Sequence, residues 1–224
     1  MKLKQSVIVL SVAALLVAAP LHAGRQGPGQ GRFDTPAQAV VAAPLSSAEV
    51  NDLVFMREEE KLSRDVYLTF YELWRNPVFS SISRAEQRHM DSMGRLLANY
   101  GLSDPVIDDG IGVFNNRELA GMYGDLTQQG QLSLLDALYA GALIEELDIR
   151  DLQDAIATAS HPDLIQAYEN LQRGSRNHLR AFVRQIEMLG DAYEAQVLDQ
   201  LEVDMILDSP LERGRSGGNG RRGW

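Results

Sequence analysis

Three glutamates and two histidines stand where a helical protein ordinarily places apolar side chains. Residues three and four apart share one helix face, and following that spacing gives four mostly apolar stripes. Glu60 interrupts the stripe Leu53, Met56, Tyr67, Phe70; Glu86 and His89 fall between Ile82 and Met93. Glu145 lies between Leu138 and Ile149, and His178 between Leu171 and Phe182. An unpaired charge in an apolar core costs several kcal/mol, so five such groups at similar depth call for a compensating charge. A pair of metal ions supplies it. Carboxylate oxygen with imidazole nitrogen, and no sulfur, suits iron or manganese and permits zinc. In Glu86-x-x-His89 the carboxylate is placed to bridge two ions while the imidazole binds one.

Each of these residues also has a plainer reading. Ser83-x-x-Glu86 is a capping box that would put Glu86 in a first turn. Glu58-Glu59-Glu60 reads as a solvated charge run in which only Glu60 reaches the seam. Glu146 lies about 100° around the helix from Glu145. The two histidines would serve equally as core residues bonded to carbonyls. Five coincidences at one height weigh against these readings together. Crowded acids of this kind are expected to keep some protons without metal, so the metal-free protein is expected to tolerate the loss of one.

The elements that must position these groups are helical, because no segment sustains a strand-like alternation in Val, Ile or Thr. The first long helix is expected over about 47–75, with Ser46 or Ser47 as N-cap. The second begins either at Asn76-Pro77 or at Ser83 and stops at Tyr100-Gly101. The third runs over about 133–159, and the fourth from Ser160-His161-Pro162 to Leu189-Gly190. The 102–132 and 191–210 segments hold short apolar clusters, expected as single turns or short helices. Two hairpins with one long connection predict an all-α, ferritin-like antiparallel four-helix bundle with a crossover between helices 2 and 3.

Composition narrows the function further. The chain has 224 residues, 45% hydrophobic and 23% charged, with no Cys. Thiol catalysis, disulfides and thiolate metal sites are therefore excluded. A net charge of −10 argues against nucleic acid as a partner. Residues 1–23 read as a signal peptide, with Lys2 and Lys4 ahead of an apolar run over 6–19 and cleavage after Ala23. That run is shorter than the roughly 20 residues of a membrane span, so no stable membrane insertion is expected. Removing it leaves 19 basic against 31 acidic residues, a charge of −12. The mature protein is expected in the periplasm or secreted. Residues 24–44 read as a flexible linker, 45–210 as the bundle domain and 211–224 as a flexible basic tail.

The residues also resemble a family. Glu-Glu-Lys-x-x-Arg-Asp-Val-Tyr (59–67), Ile-Glu-Glu-x-Asp-Ile-x-Asp-Leu (144–152) and Gly-Ser-x-Asn-His-Leu-Arg-Ala-Phe (174–182) are similar to the DUF2202 family, a group of secreted bacterial and archaeal ferritin-like proteins. The resemblance implies Glu60, Glu86, His89, Glu145 and His178 as metal ligands. It adds Asp148, at the position of an extra acidic ligand in rubrerythrins. Ser175 stands three before His178, where ferritin-like oxidases usually carry Glu, so one carboxylate is missing unless Asp148 or Glu146 replaces it. The reading that follows is a di-iron site, with manganese or zinc as substitutes, and ferroxidase or peroxide- or O2-reducing chemistry. Tyr67, Tyr168, Asp148 and Asp151 are candidate supporting groups. One alternative is a non-catalytic metal-storage module. The other is a metal-free interaction module in which Arg64, Arg88 or Arg180 pairs with the glutamates. A homodimer is compatible with either.

Overall fold

Six helices account for most of residues 44–213, the part of the chain that the computed structural model describes. They are α1 (Ser47–Trp74), α2 (Pro77–Asn99), α3 (Arg117–Gly130), α4 (Leu134–Thr158), α5 (Pro162–Met188) and α6 (Gln200–Asp208). The fold is all-α, and the described residues contain no strand. The expected signal peptide, most of the linker and most of the basic tail lie outside the described residues.

Local chemistry sets the helix ends. Ser46 and Glu49 form a reciprocal capping box at the start of α1. Of the two expected starts for α2, the earlier is realised. Asn76 caps it through Val78 N and Pro77 opens the first turn. Ser83 therefore lies inside α2, its hydroxyl donating to the Ser80 carbonyl, and Glu86 is not a capping residue. Ser133 caps α4 through Asp136 N. Of the single turns or short helices expected in the 102–132 connection, a helix is realised: α3 has 14 residues and is capped by Asn116. Its apolar positions Leu119, Met122, Tyr123 and Leu126 fall on one face.

α1 packs along α2 and α4 along α5; α1 also contacts α4, and α2 contacts α5. The diagonal pairs α1–α5 and α2–α4 make no close backbone approach. α3 lies against α1 and α4, and α6 against α5. The apolar interior between the four long helices is divided into two clusters. One contains Tyr67, Phe70, Phe79, Ile82, Leu138 and Phe182. The other contains Leu53, Met56, Met93, Leu152, Leu164 and Tyr168.

Each long helix crosses from one cluster to the other, so the clusters reveal chain direction. α1 and α5 run from the Leu53 cluster to the Tyr67 cluster; α2 and α4 run the opposite way. The two helices joined by the 102–132 connection are thus parallel, which is why that connection must travel the length of the molecule. Glu60, Glu86, His89, Glu145 and His178 fall at the crossing, between the residues of the two clusters along each helix.

Glu212, inside the expected tail, accepts from Arg176 and Arg180, and its backbone bonds Asn177 on α5.

Candidate metal centre

Glu60 from α1, Glu86 and His89 from α2, Glu145 from α4 and His178 from α5 meet in the layer between the apolar clusters. They form two trios sharing Glu86: Glu60, Glu86, His89 and Glu86, Glu145, His178. Within each trio the ligand atoms lie within 4.8 Å of one another. Glu86 Oε2 is 2.7 Å from His89 Nδ1, and its Oε1 is 2.7 Å from His178 Nδ1. Glu60 Oε2 lies 3.2 Å from His89 Nδ1, and Glu145 Oε2 lies 3.5 Å from His178 Nδ1. One carboxylate therefore faces two imidazoles, each accompanied by its own second carboxylate.

His89 Nδ1 and Glu60 Oε2 share a hydrogen bond, whereas the close approach around His178 lacks hydrogen-bond alignment. Glu86 Oε1, Glu145 Oε2 and His178 Nδ1 are buried, and none has a hydrogen-bond partner. Buried polar atoms are normally satisfied. Three orphans converging at one point fit an ion placed among them, and the oxygen and nitrogen donors suit iron, manganese or zinc. Each trio offers three protein donors. The three carboxylates are buried, whereas the side chains of His89 and His178 keep 17% and 13% exposure. The site's wet side is therefore the one where α2 meets α5.

The electrostatics follow from this crowding. Burial pushes Glu60 up to about 8, with His89 pulling the other way and Glu86 adding to the rise. Glu145 is raised chiefly by burial, with the Glu86 charge adding to it and His178 opposing. Burial would also raise Glu86, but His178 and His89 outweigh it and hold that carboxyl below its ordinary range. Burial would lower both imidazoles; Glu60 and Glu86 reverse this for His89, and Glu86 and Glu145 hold His178 up at about 10. Without metal, Glu86 therefore favours its ionised form and the two imidazoles their protonated forms.

Several surrounding residues hold the ligands. Tyr67 Oη donates to Glu145 Oε1 at 2.6 Å and so turns Oε2 toward His178. Burial and the Glu145 charge raise the Tyr67 pKa well above its ordinary value, which keeps this donor protonated. Gly174 on α5 lies directly against His89. A Cβ at that position would stand 2.5 Å from His89 Cε1 and 2.8 Å from Nε2. Gly174→Ala is therefore expected to displace the ring and weaken metal binding at least tenfold. Alanine is the better helix former by roughly 1 kcal/mol, so the fold should survive. Circular dichroism beside a metal titration checks this, and unchanged affinity with an intact fold would exclude the positioning role.

Other expected residues fall elsewhere. Asp148 is buried but belongs to neither trio. Its Oδ2 takes a 3.4 Å bond from Ser63, and Oδ1 has no partner. Glu146 does not replace the missing carboxylate. It accepts from the backbone N–H groups of Gln196, Val197 and Leu198 and anchors the segment before α6. Ser175 donates back to the Leu171 carbonyl and is not a ligand. Tyr168 lies in the Leu53 cluster, its hydroxyl without a partner, and does not support the centre.

The acidic run is not a solvated face, since Glu58, Glu59 and Glu60 are all buried. Glu58 accepts from the N–H groups of Asn115 and Asn116 and holds the approach to α3. The arginines expected in a metal-free bridge are also engaged elsewhere. Arg64 pairs with Asp65 and Asp109, Arg180 with Glu212, and Arg88 donates to the Arg84 carbonyl. Among the described residues, no Lys or Arg forms an ion pair with Glu60, Glu86 or Glu145.

Comparison with known proteins agrees with the sequence resemblance. The profile of the DUF2202 family, described as an uncharacterized protein domain, matches residues 49–210. The uncharacterized protein MJ0754 of Methanocaldococcus jannaschii is 46% identical over 171 residues, covering 76% of this chain and 92% of its own. A crystal structure described as hypothetical protein MJ0754 from Methanococcus jannaschii aligns with a TM-score of 0.75 at 45% identity. That alignment covers 76% of this chain and 97% of the other.

Proposed function

From the premise that the chain belongs to the DUF2202 family, we propose that it is a ferritin-like four-helix bundle carrying a dinuclear metal centre, with iron as its ion. The carrying observation is the pair of trios sharing Glu86, with three buried donor atoms left unpartnered. The helix directions support the ferritin-like reading, because two hairpins joined by a long crossover make the second and third long helices parallel. Glu86, common to both trios, would help hold both ions. His89 and Glu60 would complete one ligand set, and His178 and Glu145 the other.

Bound ferrous ions supply electrons to dioxygen or peroxide. The chain's own part is to hold the ligands, keep the carboxylate side dry and leave the imidazole side open. Tyr67 donates a hydrogen bond to Glu145 Oε1 and fixes that ligand's orientation. Purified without added metal and without a His tag, the protein is expected to carry about two ions per chain. Adding ferrous ion should consume oxygen. Bound metal without oxygen consumption would favour the storage reading, and no metal would exclude both.

Proton competition gives a second expectation. The raised groups His89, His178, Glu60 and Glu145 bind protons more firmly in the folded chain than in the unfolded one. Their contribution to metal-free stability is complete below the unfolded values and is lost as pH rises through the folded ones. For His178 that window runs from the ordinary value of 6.5 up to about 10, and for Glu60 from 4.5 up to about 8. Glu86 has the opposite sign, but its window lies in acid. Metal expels the same protons, so its affinity rises where metal-free stability falls. Anaerobic melting with chelator and with manganous ion, from about pH 6 to about pH 8.5, should show the two trends diverging. Metal-induced stabilisation that shrinks with rising pH would contradict the ligand assignment.

A further inference from the structure

A cavity of about 1120 Å³ lies between α2, α5 and the chain around the end of α6. It follows the same α2–α5 seam on which His89 and His178 keep their exposure. We propose that this cavity binds an amphipathic organic anion, a carboxylate on an apolar chain or ring, as the organic substrate of the dinuclear centre. The dinuclear reading enters only in what the bound molecule meets; the ligand class stands on the residues that line the cavity.

Placement along the helices ties the cavity to the centre. Ile82 lines it about one helical turn before Glu86 on α2. On α5, Asn177 immediately precedes His178 and Ala181 lies just under a turn beyond it; both line the cavity. Its inner end is therefore level with the ligands. Leu207, Ser209 and Leu211 form the third wall. That wall is pinned to α5, because Glu212 accepts from Arg176 and Arg180 while its backbone exchanges two hydrogen bonds with the Asn177 amide.

Size and lining select the ligand. Dioxygen or peroxide would fill a small part of this volume, whereas pockets for organic molecules span roughly 300–1,000 Å³. Val78, Ile82 and Leu207 give apolar walls, and Met188 and Leu211 leave apolar surface in solvent that a ligand would cover. Arg180 has spent its donors: Nε on the Ile206 carbonyl, Nη1 on Asn177, and Nη2 on Ser209 and Glu212. Arg184 forms no ion pair or side-chain hydrogen bond with the described chain, and neither does the hydroxyl of Ser81, which lines the cavity from α2. A guanidinium and a hydroxyl are suitable donors to a carboxylate. The acids of the lining, Glu187 and Asp208, are exposed, and Glu187 lies almost a turn beyond Arg184, away from the centre. A carboxylate at Arg184 and Ser81 leaves the apolar body to run along Ile82 and Ala181, toward the imidazoles.

Octanoate, 1-octanol and octylammonium share one chain and differ in charge. Calorimetry of each with the chelated protein reads the cavity without any metal. Octanoate is expected to bind wild type at least about tenfold more tightly than either of the others. Arg184→Gln should lose that preference, and Ser81→Trp should fill the cavity and lose octanoate binding. Both positions are exposed, so both variants should fold, which circular dichroism checks. Arg117→Gln, on α3, should bind octanoate as wild type does. Equal octanoate binding in wild type and Arg184→Gln, tighter binding of octylammonium, or no binding at all would overturn the proposal and leave the centre standing. Manganous ion reads the link between the two. Saturating octanoate should slow its removal from loaded wild type by chelator several-fold, and should not do so in Ser81→Trp. Octanoate binding with unchanged removal would overturn the substrate role. A wild type that binds octanoate but no manganous ion would remove the centre and keep the anion site.

Discussion

Glu86→Ala is expected to abolish the rise in melting temperature that metal confers. A ligand that binds only the folded state stabilises it by about 2.7 kcal/mol at a hundredfold excess over Kd. For a domain of this size each kcal/mol moves the midpoint by roughly 2–4 °C. The metal-dependent increment in wild type should therefore be about 5–10 °C and should vanish in the variant. Glu86 is singled out because each of its oxygens faces a different imidazole, so truncation damages both ligand sets at once. Glu60→Ala damages one set and should leave part of the increment.

The metal-free effects separate the glutamates more sharply. Crowding among acids alone suggests that losing any one of them relieves repulsion. The geometry divides them. Glu86 is held ionised between two protonated imidazoles, so its loss strands those charges. It should destabilise the chelated protein by on the order of 1–3 kcal/mol. Glu60 is raised by burial, and Glu60→Gln should be neutral or stabilising without metal. Melts of wild type and the three variants, with chelator and with manganous ion, read these quantities. A metal-dependent shift that survives Glu86→Ala would rule out the bridging role.

The sequence was informative wherever a residue's role depends on its own helix. The caps at Ser46, Asn76 and Ser133 are local, and each is realised. The common depth of Glu60, Glu86, His89, Glu145 and His178 follows from counting along single stripes, so the trios were legible before any packing was known. Roles that depend on a neighbouring element were not legible. In α1 every residue from Glu58 to Tyr67 is buried, because α2, α3, α4 and the loop before α3 enclose it there. A stripe rule assigns one buried face and so leaves Glu58 and Glu59 in solvent.

The same limit explains Glu146, whose partners are backbone N–H groups about fifty residues away. It also explains Gly174, whose missing side chain matters only because His89 arrives from another helix. α3 is a different case. Its apolar spacing was readable as a short helix, and Asn116 is an ordinary N-cap.

Asp65→Ala is expected to cost about 3–5 kcal/mol, the usual penalty for breaking a buried ion pair from one side. Lys61 and Asp65 lie one turn apart on α1, and both side chains are fully buried. Asp65 also accepts from Arg64 and from the Gly112 N–H, while Lys61 donates to the Gly110 carbonyl and lies over the Phe114 ring. One carboxylate thus fastens the 101–116 segment to α1. Its removal leaves a buried ammonium with one carbonyl and an aromatic face. The midpoint should fall by roughly 6–20 °C, and protease should cut first between Gly101 and Asn116.

None of these groups belongs to the trios, so metal should stabilise the Asp65→Ala protein by the same increment as wild type. That equality distinguishes a fold anchor from a ligand. Replacing both partners with apolar residues, Lys61→Met with Asp65→Leu, should recover much of the loss because the ammonium is then gone and Arg64 keeps Asp109. The Gly110 and Gly112 backbone groups would still lack their partners, so recovery should be incomplete. A single variant as stable as wild type would mean that Arg64, Asp109 and Gln87 hold the segment without Asp65.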